Sequence, residues 1–198
     1  INAAFALLGG TLTGVGTFTT DGAFAWSGGY MTGGGAAVVS PGVVMTISGT
    51  SSKYLSRVLE IQGSADYTGS NLTFGATENA PGTIHTVAGG VFNAIGEGDF
   101  GITWGAAHAI RNEGTFTRSG AGTTTVNSGI TFNSSGTVDV QAGTLELSGG
   151  GTDSGTLLGP GTIEFSGGTH KLDGVTGTAN IRITNDTVQA TGGGLDIS

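Results

Sequence analysis

"GTLELSGGGTDSGTLLGPGTIEFSGGTHKL", from Gly143 to Leu172, keeps returning to one phrase: glycine, threonine, then a short apolar and polar alternation. The words TLEL at 144–147, TIEF at 162–165 and THKL at 169–172, with TVDV at 137–140 just upstream, place mostly apolar residues second and fourth and a charge third. A period of two is the pattern of a strand with one buried face. It predicts that Val138, Val140, Leu145, Leu147, Ile163, Phe165 and Leu172 point inward, and that Asp139, Glu146, Glu164 and Lys171 point to solvent. The intervening Gly, Ser, Ala, Asp and Pro residues supply positive φ or tight turns. Strands this short make poor hairpins. They fit the sides of a coil that bends at glycine and stacks on the coil below, while β-branched threonine suits the half-exposed start of each strand.

Internal repeats extend this reading. GTLELSGG at 143–150 and GTIEFSGG at 161–168 match at a spacing of 18, and GTLTGVGTFT at 10–19 matches GTLLGPGTIE at 155–164 in its Gly-Thr-Leu, Gly and Gly-Thr offsets; AWSGG at 25–29 belongs to the same set. Self-similarity of this kind marks a repeat architecture. The expected fold is all-β: a single right-handed parallel β-solenoid over residues 1–198, with uneven coils of about 18 to 30 residues and some eight to ten turns. SKYLSRVLEI at 52–61 is read as strand preceded by a loop or short turn, since VLEI alternates. The segment 76–114 has few repeat words and is read as coils bearing protruding loops, where binding function usually sits.

Composition narrows the function classes. Glycine accounts for 41 residues and threonine for 31, yet 36% of the chain is hydrophobic and falls into periodic runs, so order is expected over disorder. Only 10% of residues are charged and the net charge is -8, which argues against nucleic acid and against an anionic membrane surface as partners. No apolar run approaches the roughly 20 residues of a membrane-spanning helix. With no cysteine there are no disulfides or thiolate metal sites. The opening INAAFALLGG has neither methionine nor a basic start and is read as an internal or processed beginning.

Candidate sites are few. His170 occupies an inward position in THKL and is read as structural, its ring hydrogen-bonded; His85 and His108 have no carboxylate at a ligand spacing, so no metal or other cofactor is expected. GEGDFGITW at 96–104 offers Glu97, Asp99 and Trp104 as glycan contacts, against a reading in which the acids are solvated and Phe100 and Trp104 lie in the core. The basic residues Lys53, Arg57, Arg111, Arg118, Lys171 and Arg182 look scattered, unlike the cluster a lyase for acidic glycans requires. TLT at 11–13 and TFT at 17–19 and 115–117 would make an ice-binding array only if stacked in register. The glycosylation sequons at Asn71, Asn133 and Asn185 are expected by chance in so Thr-rich a chain.

NEGTFTRSGAGTTTVNSGITFNSSGTVDVQAGTLELSGGGTDSGT at 112–156 resembles the Gly/Thr-rich repeats of large bacterial surface and secreted proteins of parallel β-solenoid type, such as adhesins and autotransporter passengers. The resemblance implies an extracellular or cell-surface location and a non-catalytic role as adhesin, stalk or filament. Partners would be a glycan or cell-surface ligand, further coils of a longer polypeptide, or copies stacked end to end. Polysaccharide binding or degradation through the 76–114 loops is the alternative, and ice binding a second.

Overall fold

TLEL and TIEF lie directly one above the other: Thr144 pairs with Thr162, Leu145 with Ile163, Glu146 with Glu164 and Leu147 with Phe165, in parallel. The spacing of 18 is therefore one full coil. The computed structural model, which describes residues 2–76, 80–105 and 107–197, is a parallel β-solenoid of about nine turns with no helix among the described residues. Each coil visits three faces in turn. Face C carries strands such as Lys53–Leu55, Leu72–Phe74, Thr144–Leu147 and Thr162–Phe165; face A carries Val58–Ile61, Thr83–Thr86, His108–Asn112 and Ile130–Ser134; face B carries Ser64–Tyr67, Val91–Ala94, Thr115–Arg118 and Thr137–Val140. Two longer strands near the C-terminal end, Thr169–Gly177 and Thr187–Ile197, run through both A and B and join them into one sheet.

Residues in register lie from 18 apart, as His170 and Val188, to 28 apart, as Leu72 and Phe100. The longest coils fall around 72–126, where extra residues enter the corners while the strand words stay paired. The stretch 52–61 forms two strands, Lys53–Leu55 on face C and Val58–Ile61 on face A, with a corner between them.

All seven residues assigned inward at 138–172 are buried, and Asp139, Glu146, Glu164 and Lys171 are half-buried or exposed. Burial of apolar area at about 25 cal/mol per Å² drives this arrangement. Phenylalanines stack along the axis: Phe92 and Phe116 are parallel at 5.3 Å, and Phe116 meets Phe132 edge-on at 5.4 Å. Polar residues also form an inward line, Thr86, Asn112, Ser134 and Asp153, on successive coils of face A. The Asn112 amide donates to Ser134 Oγ and to the Thr137 carbonyl, which satisfies its buried nitrogen.

The recurring Gly-Thr pair has a specific basis at the corner from face A to face B. Gly114, Gly136 and Gly155 each sit so close to the carbonyl of the glycine one coil away that a Cβ would lie 2.3, 2.1 and 1.8 Å from it. The amide of the threonine that follows donates to that same oxygen: Thr115 to Gly90, Thr137 to Gly114 and Thr156 to Gly136, at 3.0, 2.8 and 3.0 Å. Close approach of backbones, rather than positive φ, requires glycine in this column.

One expectation needs correction. The 145-residue repeat is out of phase with the coils: Thr11 lies on face C and its counterpart Thr156 on face B, because the same word fits any face. At the N-terminal end Leu7 is buried and Phe5 half-buried, but Leu8 is 69% exposed. Near the C-terminal end Ile183 is 53% exposed, while Ile181 packs on the core.

Candidate functional site

Glu97 and Asp99 hold coils together. Glu97 takes an ion pair from the buried Arg118 guanidinium at 3.1 Å and a hydrogen bond from the Gly122 amide at 3.1 Å, while Asp99 Oδ1 accepts the Thr125 amide at 2.8 Å. Phe100 is fully buried, but Trp104 is 68% exposed, so the pair does not enter the core together. Of this trio Trp104 alone presents its side chain to solvent without a structural bond.

The histidines serve three different arrangements. His108 is buried, its Nδ1 accepting the Gly82 amide at 3.0 Å and its Nε2 donating to the Trp104 carbonyl at 2.9 Å. His85 faces outward and meets Glu113 at 3.2 Å. His170 is inward as expected, but its ring has no hydrogen-bond partner; it lies between two buried carboxylates, Asp153 at 3.9 Å and Asp186 at 3.6 Å. Gly151 stands opposite it one coil away, and the ring packs on Phe165. Burial pushes the Asp153 carboxyl above the usual range, with His170 partly offsetting the shift. Among the described residues, no group of three or more His, Asp or Glu side chains is placed to hold a metal ion.

The three Thr-x-Thr words fall on three different faces: 11–13 on C, 17–19 on A and 115–117 on B. They form no common array. Threonines do stack singly, Thr115, Thr137, Thr156 and Thr176 following one another on face B.

Four of the six basic residues bind the protein itself. Lys53 Nζ donates to the Gly49 and Ser51 carbonyls, and Arg57 to the carbonyls of Gly16, Thr32, Gly35 and Ala36. Burial lowers the pKa of both. Arg118 reaches the Ala94 and Gly122 carbonyls beside Glu97, and Arg182 pairs with Glu164. Cations of this kind add a second donor at corner carbonyls, some of which already accept a backbone amide, as Ala94 does from Ser119 and Gly122 from Thr144.

On face A an open polar groove of about 360 Å³ runs across three coils, bounded on one side by the outward residues Arg111, Asn133 and Thr152 and on the other by the corner residues Glu113, Ser135 and Ser154. The residue-by-residue reading missed this groove, since its members lie about twenty positions apart in the chain. The signal that finds it is the coil register itself.

Compared with known proteins, the chain matches no family model, no curated protein and no solved structure.

Proposed function

We propose that this solenoid is a non-catalytic structural and adhesive module of an extracellular or cell-surface protein, a short stiff rod that holds side chains at fixed intervals for a partner surface. The observation that carries this reading is the strict stacking of outward residues: on each face the same strand position recurs coil after coil, as with Glu60, His85, Arg111 and Asn133 on face A. About nine coils at the inter-strand spacing of about 4.8 Å give a rod of roughly 40 Å. Buried cations and the Asn112 amide fasten the corners, which supports a scaffold that resists bending.

Self-association, or continuation into further coils of a longer polypeptide, belongs to the same proposal. Among the described residues, the strands Phe5–Leu7, Thr11–Leu12 and Phe18–Thr20 pair on one side only, and either a second copy or further coils would continue the sheets there. Polysaccharide binding is a second reading, favoured by the groove on face A rather than by the 76–114 loops. Beads coated with the chain, scored for adhesion to cells and to immobilised glycans, test the module directly. Release of shortened glycan by the chain would replace adhesion with catalysis; absence of adhesion to every surface would leave only the structural role.

A further inference from the structure

Two cations remain free. Neither Arg111 nor Lys171 makes a hydrogen bond or ion pair with any described residue, and both are exposed. They stand on the same outward line of face A: Arg111 beside Asn133, Asn133 beside Thr152, whose amide bonds the Asn133 side chain, and Thr152 beside Lys171. At about 4.8 Å per coil, roughly 14 Å separate the two cationic positions. Two neutral polar residues lie between them, and the hydroxyls of Thr152, Ser135 and Ser154 along the groove make no bond to any described residue.

We propose that this line binds an extended acidic polysaccharide, a chain of uronic acid residues laid along the solenoid axis. The inference rests on the adhesive reading and names its ligand. The coil rise is close to the length of one sugar residue in an extended glycan, so successive sugars meet successive coils. The Arg111 fork receives one carboxylate in two parallel hydrogen bonds, and Lys171 receives another as a point charge. Between them Thr152 and the groove serines exchange hydrogen bonds with sugar hydroxyls, while Asn133, which donates to Thr131 Oγ1 and accepts the Thr152 amide, has one amide hydrogen left to donate. Glu113, the one carboxylate lining the groove, is turned to His85 and leaves Arg111 unopposed. Two cations do not supply the row of phosphate contacts that nucleic acid needs, and the hydroxyls along the groove between them suit the hydroxyls of a sugar chain.

Calorimetric titration of the 198-residue chain with oligo-uronates of increasing length tests this. Binding is expected once the oligomer spans Arg111 to Lys171, and it should weaken as salt rises. Arg111→Gln and Lys171→Gln should each weaken it by about tenfold, the scale of one hydrogen bond to a charged group. Arg182→Gln, which removes a cation already engaged by Glu164 on face C, should leave affinity unchanged. Circular dichroism of the variants establishes that both remain folded. Equal binding by the Arg111/Lys171 double variant, equal binding of a neutral glucan, or tighter binding of single-stranded nucleic acid would each overturn the proposal. So would no uronate binding at all; if the coated beads still adhered elsewhere, the module would stand with another ligand.

Discussion

Asp153 faces Nδ1 of His170 across 3.9 Å in the closed interior, on neighbouring coils, with both side chains sealed from water. No hydrogen bond joins them, and Asp186 approaches the other ring nitrogen at 3.6 Å. Burial raises the Asp153 pKa in the folded chain above its unfolded value of about 3.8. The folded state therefore holds that proton more tightly. Ionised Asp153 lowers stability above its folded pKa, and the penalty fades as pH falls through that value toward the unfolded one. Asp153→Asn is expected to be more stable than the parent near pH 7, with the gap closing as pH falls toward the unfolded value. Denaturant midpoints across that range measure it; a gap that widens on acidification would mean that the attraction to His170 outweighs burial.

Leu145 and Ile163 stack in the interior while their chain neighbours Glu146 and Glu164 stack outside. Leu145→Asp or Ile163→Asp places an unpaired charge in the core and should cost at least about 3 kcal/mol. Glu146→Ser and Glu164→Ser lose only half-exposed bonds, to Thr125 and to Arg182 with Thr184, and should stay within about 1 kcal/mol. Thermal melts of the four variants check the contrast. Similar losses in both pairs would refute the inward and outward assignment.

The strand words were legible because alternation depends only on neighbours in the chain. Val138, Leu145 and Phe165 could be placed inward without knowing what they touch. Lys53, Arg118 and Asn112 could not, since alternation treats a charge or amide as a solvent position and their partners are corner carbonyls. Acid and aromatic in GEGDFGITW suggested a glycan site, whereas Glu97 and Asp99 bond the next coil because a long corner there needs fastening. The line from Arg111 to Lys171 was illegible for the opposite reason: each residue is unremarkable locally, and only the uneven coil lengths, fixed in the fold, bring the four positions into one row.

Arg118 is buried with its guanidinium on two carbonyls and on Glu97. Arg118→Met keeps much of the apolar stem but leaves the Ala94 and Gly122 carbonyls without the guanidinium. A loss of about 3 kcal/mol is expected, larger than for Glu97→Gln, which keeps an acceptor for the Gly122 amide and for the guanidinium. Urea unfolding of both variants decides the order; a larger loss in Glu97→Gln would make the ion pair, rather than the carbonyl bonds, the main fastening.

Gly136 sits where a Cβ would lie 2.1 Å from the Gly114 carbonyl oxygen, and Thr137 donates its amide to that same oxygen. Gly136→Ala must push the two coils apart at the corner, stretching that bond and its neighbours. The expected loss is about 2 kcal/mol, the scale of overpacking in a closed interior. Gly34→Ala makes the control, because its Cβ would meet nothing within 4 Å. In Thr137 only the backbone amide and carbonyl are used, so Thr137→Val should fall within about 0.5 kcal/mol of the parent. Unfolding midpoints of the three variants separate the members of the Gly-Thr pair: a large loss in Thr137→Val with none in Gly136→Ala would assign the repeat to the hydroxyl and remove the close-approach explanation.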